Sequence, residues 1–346
     1  MSEETLTTSQ LSGAEITMEV TQITSEYSEY MTGPALSPRS VYFEIVVVVI
    51  GLVGTTANAL ILYALVASKQ HKKHMLIFNQ NALDLFSSIF LIISNAMKLC
   101  NVRFTGLLGH WLCTILLNDV VVTLGIIGST INLASITVER YLKVVHPGWS
   151  KKKLRSWMIY SAAAFAWLFS ALYKFALVSM TAMVVDGSCY ASFIWQSETA
   201  RLIHAIWYLM SFYVIILLIV ILGYWRILVF IRRQARVMAG HSAPGSSTGQ
   251  TQSTHIQTNV IKTMILVSAF FAISQLPYHL LYLTVSLNPK LVIAVFDIVY
   301  YTSMFAAFLY ICTNPFIYAI KFDPVKQVLL RLIPCKKNSD QTIELN

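Results

Sequence analysis

The chain of 346 residues is 56% apolar and only 12% charged, with a mean hydropathy of +0.63, which excludes one or two ordinary soluble domains. Its net charge of +9 would suit nucleic acid if it lay on one soluble face. The cations fall instead in short runs between apolar stretches, where they anchor a polytopic membrane protein and attract anionic lipid, so no nucleic-acid partner is expected.

Residues 1–40 are rich in Ser, Thr and Glu and show no periodicity, which predicts a disordered, acidic N-terminal tail. They hold no apolar leader with a small-residue cleavage site, so no cleaved signal peptide is expected. Seven apolar stretches follow, near 41–67, 75–99, 112–141, 155–180, 202–231, 258–287 and 291–320, each long enough to span about 30 Å of hydrocarbon. Together they predict a bundle over 41–322, with a third intracellular loop at about 232–257. The AGHSAPGSSTGQTQST run in that loop reads as a flexible polar linker. Pro324 to Ile333 is amphipathic and leads to Cys335-Lys336-Lys337, so 323–346 reads as a short eighth helix and cytoplasmic tail. The fold class is an all-α membrane protein, a seven-transmembrane helix bundle with a short amphipathic eighth helix.

Sidedness follows from the cations. Arg39, Lys98, Arg103, Lys174, Arg201 and Lys290 lie on the N-terminal side, whereas Lys69, Lys72, Lys73, Lys151, Lys152, Lys153, Arg155, Arg232, Arg233 and Arg236 lie on the other. The positive-inside rule then puts the N-terminus outside and the C-terminus in the cytoplasm.

Several polar residues interrupt the apolar spans: Asn58 in the first, Asp84 in the second, Ser129 and Asn132 in the third, Asn314 in the seventh. An ionised Asp at bilayer depth costs about 2.5–3.5 kcal/mol on insertion scales, so Asp84 must face the bundle interior. Taken singly, such residues are as well explained as hydrogen-bonding glue between helices. Glu139-Arg140-Tyr141 closes the third span, where snorkelling to the interface is the plain alternative to a functional role. Pro277 and Pro315 each remove a backbone hydrogen bond from the sixth and seventh spans and should kink them.

Read together and in order, these residues resemble the rhodopsin-like (class A) G-protein-coupled receptors, over residues 41 to about 335. Asn58 and Asp84 stand where that family has its helix-one Asn and helix-two Asp. Glu139-Arg140-Tyr141 is similar to its Asp/Glu-Arg-Tyr triplet. Trp167, Tyr224, Phe271 and Pro277 match its marked positions on helices four, five and six, and Asn314-Pro315-Phe316-Ile317-Tyr318 is a full Asn-Pro-x-x-Tyr motif. The resemblance implies a non-enzymatic receptor at the plasma membrane that binds an extracellular ligand and activates heterotrimeric G proteins by outward movement of helix six. Arrestin and receptor kinases are implied as further partners. Glu139, Arg140, Tyr141, Tyr224, Phe271, Pro277, Asn314, Pro315 and Tyr318 would form the activation switch. Asn58, Asp84, Ser129 and Asn314 would line a sodium-like pocket, although Tyr310 and Ile311 replace small polar residues there and count against the ion. Cys113 and Cys189 would form a disulfide, with Cys100 as a competing partner. Cys113 precedes Arg140 by slightly more than the family spacing, which implies a local bulge or a shifted helix start. Cys335 resembles a palmitoylated tail cysteine.

The departures are as informative. Gln275 and Ser274 replace the Trp and Cys before Pro277, and Ile216 stands where helix five has a proline. Gln257 replaces the acidic partner of Arg140, which predicts a missing inner lock and raised basal activity. Val325 replaces an aromatic of the eighth helix, which predicts weaker packing.

For the ligand, Lys98, Asp119, Lys174, Gln275, Tyr278, His279, Tyr282, Asp297 and Tyr300 are candidate contacts in the outer third. Trp207 and Tyr208 join these candidates, although outer aromatics most often form the interface belt and most of the set is expected to face lipid. Phe308 excludes a retinal Schiff base, and Val122 occupies the amine-receptor Asp position. Mixed charge at the rim favours a peptide, of neuropeptide type, over a small amine or lipid. A seven-helix transporter or channel is the more distant alternative.

Overall fold

A long apolar segment in hydrocarbon has to satisfy its backbone internally, and the α-helix does this within one segment. The computed structural model describes residues 38–117, 120–178, 182–185, 188–191, 197–240, 248–287 and 292–332. Among them, seven helices are long and apolar enough to cross a membrane. They are α1 (Pro38–Ala67), α2 (Met75–Leu99), α3 (Val120–Val145), α4 (Ser156–Val178), α5 (Glu198–Leu209 with Ile215–Gly240), α6 (Thr248–Leu287) and α7 (Val292–Lys321). A helical lead, Gly106–Leu112, and a π-helical turn, Cys113–Leu117, precede α3, and a second π-helical turn, Met210–Val214, joins the two runs of α5. The short amphipathic α8 (Asp323–Leu332) follows α7. Besides the expected helices there is one antiparallel hairpin, β1 (Ala182–Val185) and β2 (Ser188–Ala191), with Val184 opposite Cys189.

The packing explains why α3 is central. It touches α2, α4, α5 and α6, while α7 closes the ring between α6 and α1. Apolar side chains such as Leu168, Leu172, Leu222, Trp225 and Ile273 point outward, and Asn58, Asp84, Ser129, Asn132 and Asn314 point inward. That is the inverse of a water-soluble bundle. Small residues set the helix spacing. A Cβ on Gly125 of α3 would lie 1.8 Å from Ser87 Oγ of α2, so no side chain fits there without parting the helices.

Helices reach past two of the expected boundaries, and one expectation needs revision. α5 runs to Gly240 and α6 starts at Thr248, so both extend into the stretch 232–257. Arg232, Arg233 and Arg236 are exposed and extend α5 as a polar helix, and the one proline of the run, Pro244, falls between the two helix ends. The α8 packing is not weakened by Val325, which is fully buried in the same apolar core as Ile61, Leu65 and Tyr318. Phe322, just before α8, supplies the buried aromatic. The first helix opens at Pro38, within the stretch assigned to the tail. Residues 1–37, Asp119, Asp186 and Cys335, and the side chains of Gln257 and Asp297, lie outside the described residues.

Gly125→Leu is expected to destabilise the bundle by about 1–3 kcal/mol through overpacking, and Gly125→Ala by less. Thermal denaturation of the detergent-purified protein, together with surface expression, checks both.

Candidate functional site

Polar groups buried in an apolar bundle must find one another. They do so here in three layers.

In the middle layer Asn314 of α7 donates to Asp84 Oδ2 of α2 at 2.8 Å, while Oδ1 has no hydrogen-bond partner among the described residues. Gln80, one turn before Asp84, donates to Ser129 and lies 3.3 Å from the Tyr310 hydroxyl, which also receives the Ser129 hydroxyl at 3.3 Å. Asn132 donates to the Leu76 carbonyl and to Gln80 Oε1, both at 2.8 Å, and accepts from Asn79 at 2.9 Å. Asn79 in turn accepts from Trp167 Nε1 at 3.0 Å. Four helices are thereby tied through side chains alone. Asn58 stands apart and donates to the carbonyls of Gly54 at 2.9 Å and Ile311 at 3.1 Å, which fastens α1 to α7. Asp84 and Asn314 meet directly, then, and Ser129 reaches the same layer through Gln80 and Tyr310. Of the four residues expected to line a sodium-like pocket, Asn58 bonds backbone carbonyls instead.

In the second layer, at the C-terminal end of α3, Arg140 Nη2 lies 2.9 Å from His74 Nδ1 and 3.9 Å from Glu139 Oε2. Guanidinium only donates, so Nδ1 accepts and the His74 proton resides on Nε2. Glu139 is bonded by Lys143 through its other oxygen. The His74 ring meets Phe322 edge to face, with centroids 5.1 Å apart. Burial, followed by Arg140, Lys73 and Lys143, pushes the His74 pKa down to about 3. The Tyr224 and Tyr318 hydroxyls and Arg140 Nε are buried with no hydrogen-bond partner among the described residues. Tyr141 turns away and pairs with His146 at 3.2 Å.

The third layer, at the opposite end, is aromatic. His204 of α5 lies between the Tyr173 hydroxyl (3.1 Å to Nε2) and the Tyr282 hydroxyl (2.9 Å to Nδ1), so three helices meet on one imidazole. His279 of α6 donates from Nδ1 to the Gln275 carbonyl at 2.9 Å and packs against Tyr208 and Tyr213, with centroids 5.1 and 5.2 Å away. Gln275 reaches the Ala307 carbonyl of α7 at 3.3 Å. Phe271 lies between Tyr213 and Tyr310, linking this layer to the middle one. Tyr208 is only 7% exposed and faces the bundle interior; its ring fills the space between Phe212, Tyr278 and His279. Trp207 does face outward. Lys98, Lys174, Tyr278, Tyr282 and Tyr300 are half-buried at this end, with the Tyr300 ring against Tyr301.

Cys113 and Cys189 form a disulfide that ties the start of the third span to β2. Cys100 is free. The implied bulge is present as the π-helical turn Cys113–Leu117. The model of the 7 transmembrane receptor (rhodopsin family) matches residues 57–318, from the Asn58 region to Tyr318. The chain belongs to this family. It is a multi-pass membrane receptor and not an enzyme. Among curated relatives, galanin receptor 2b of Danio rerio is 25% identical over 252 residues, 72% of this chain. The chain spans 63% of that relative's length. A QRFP-like peptide receptor of Branchiostoma floridae is 24% identical over 324 residues, 88% of this chain and 81% of that protein.

Sequence reasoning missed His74, Gln80, Tyr173 and His204. Gln80 was open to discovery, as one of three consecutive amides within a span (Asn79-Gln80-Asn81). His74 carried no signal inside a Lys-rich turn. Asn132→Leu is expected to cost about 1–2 kcal/mol, because it strips partners from Asn79, Gln80 and Leu76 together. A lowered thermal midpoint in detergent checks this, and Asn58→Leu should act independently of it in a double mutant.

Proposed function

We propose that this receptor lies in the plasma membrane with its N-terminus outside, that its ligand is a peptide, and that ligand binding promotes nucleotide exchange on a heterotrimeric G protein through outward movement of α6. The cation asymmetry supports the orientation. The two relatives, named as a galanin receptor and a QRFP-like peptide receptor, support the peptide. Lys98 and Lys174 at the disulfide end add positive charge suited to acidic or carboxylate groups on it. Gln275, Tyr278, His279, Tyr282 and Tyr300 would meet its apolar and hydrogen-bonding parts, with Asp119 and Asp297 as acidic contacts.

The observation that carries the coupling reading surrounds Arg140. Its Nε and the hydroxyls of Tyr224 and Tyr318, from α3, α5 and α7, are buried with no hydrogen-bond partner among the described residues. Each such group costs about 1–3 kcal/mol. A closed bundle holding these groups is therefore poised, since withdrawing α6 would admit water or the backbone of a partner helix to them. A peptide that favours the open state from outside and a G protein that favours it from inside would strengthen each other's binding, because linkage is reciprocal. Glu139, Tyr141, Phe271, Pro277, Asn314 and Pro315 would act in the same switch, and the Asp84–Asn314 bond would reorganise with α7. No step is assigned to sodium. Arrestin and receptor kinases would act on the open form, and an acyl chain on Cys335 with Lys336 and Lys337 would give the tail two membrane anchors.

A G-protein dissociation assay across the Gα classes, with a peptide library, tests this. A peptide hit on wild type should lose at least about ten-fold of its signal in Arg140→Ala, the size expected when a charged hydrogen-bonding group is removed, while surface expression stays intact. A wild type that dissociates no G protein, or an Arg140→Ala variant that signals like wild type, would overturn the reading.

A further inference from the structure

We propose that His74 is a positioning residue that restrains Arg140 in the resting receptor through a neutral hydrogen bond between the start of α2 and the end of α3, and that breaking this bond releases Arg140 for its partner. The proposal rests on the coupling reading above. Its first support is the 2.9 Å contact of His74 Nδ1 with Arg140 Nη2, closer than the Glu139 oxygen at 3.9 Å, at a ring only 6% exposed. Glu139 offers a weaker hold, since it stands 3.9 Å from Nη2 and also bonds Lys143.

The second support is what α6 lacks. From Thr248 to Leu287 it contains no Asp or Glu at all, so no ion pair from α6 to Arg140 can form. No ionic restraint on Arg140 can therefore come from α6, and His74 supplies a neutral one from α2.

The third support is how the ring is held. Phe322 contacts it edge to face at 5.1 Å, and Val325 one turn later is fully buried. The α7–α8 junction therefore fixes the acceptor, and movement of that junction would withdraw it.

The charges around the ring make the restraint sensitive to acid. Arg140 and Lys143 face His74 from α3 and Lys73 from its own turn; among the described side chains the α7–α8 side presents the uncharged Phe322, and Glu139 is bonded to Lys143. Burial and these three cations keep the imidazole neutral in the resting form, with a pKa near 3. Once Arg140 leaves and water enters, the pKa returns toward the ordinary value of 6.5. The released form then binds a proton that the resting form does not, so lowering the pH through 6.5 favours release.

The test uses the full-length receptor in lipid nanodiscs, with two readouts. One is ligand-free nucleotide exchange on purified G protein at pH 7.4 and 6.0. The other is a fluorine label on Lys262→Cys of the exposed face of α6, in a Cys100→Ser background, read by NMR without any G protein. His74→Phe keeps the ring packing on Phe322 but cannot accept, and should raise basal exchange about ten-fold and shift the α6 label toward its open signal. Wild type should rise roughly three-fold between pH 7.4 and 6.0. His74→Asn, whose Oδ1 can accept from the same guanidinium, should restore the restraint and show no such rise. The proposal is overturned if His74→Phe matches wild type in both readouts, or if His74→Asn keeps the wild-type pH response. A shifted α6 label in His74→Phe without exchange on any G protein would uphold the restraint and overturn the coupling reading instead.

Discussion

Lipid cannot solvate the carboxylate of Asp84, and that single constraint organises the centre of this receptor. Asn314 of α7 donates to it, so the 2.8 Å bond fixes how α7 faces α2. Around it, the amides of Asn79, Gln80 and Asn132 satisfy one another and the Trp167 indole, which fixes α3 and α4. Apolar packing alone would leave these helices free to rotate, because lipid tails wet a leucine face as well as a neighbouring helix does. Directional bonds remove that freedom.

The two ends of the bundle depart from this centre in different ways. Toward the disulfide, polar groups are embedded in rings, with His204 bonded to two tyrosines and Gln275 to a carbonyl, although His279 Nε2 has no hydrogen-bond partner among the described residues. Toward Arg140, Arg140 Nε and the hydroxyls of Tyr224 and Tyr318 lack one among the same residues. The Arg140 end therefore gathers more unmet donors from more helices. Phe271 and Tyr310 touch both the aromatic layer and the Asp84 layer, so they are the physical contact through which a disturbance at one end reaches the next.

The seven spans were legible because their signal is additive: twenty or so apolar residues outweigh any local ambiguity. The motifs on α2, α3 and α7 were legible because a charged or amide side chain in such a span has few tolerable positions. The partners of those motifs were not. Asn58 and Asp84 both face inward, yet nothing in their spacing reveals that Asn58 bonds backbone carbonyls rather than Asp84. His74 sits among lysines, and only the three-dimensional approach of α3 distinguishes it from His71 three residues earlier. The α8 packing was misjudged because attention fell on Val325, whereas the aromatic anchor is Phe322, three residues before it.

The two π-helical turns have an effect on the bookkeeping of homologous positions. Each turn inserts one residue relative to a regular helix, and one residue corresponds to about 100° of azimuth. Counting back from Ile216 along an uninterrupted helix would therefore aim His204 well away from the imidazole site it occupies between Tyr173 and Tyr282. Contacts transferred by residue number from a relative without the same insertions would be rotated out of register above Met210, and correct again below it.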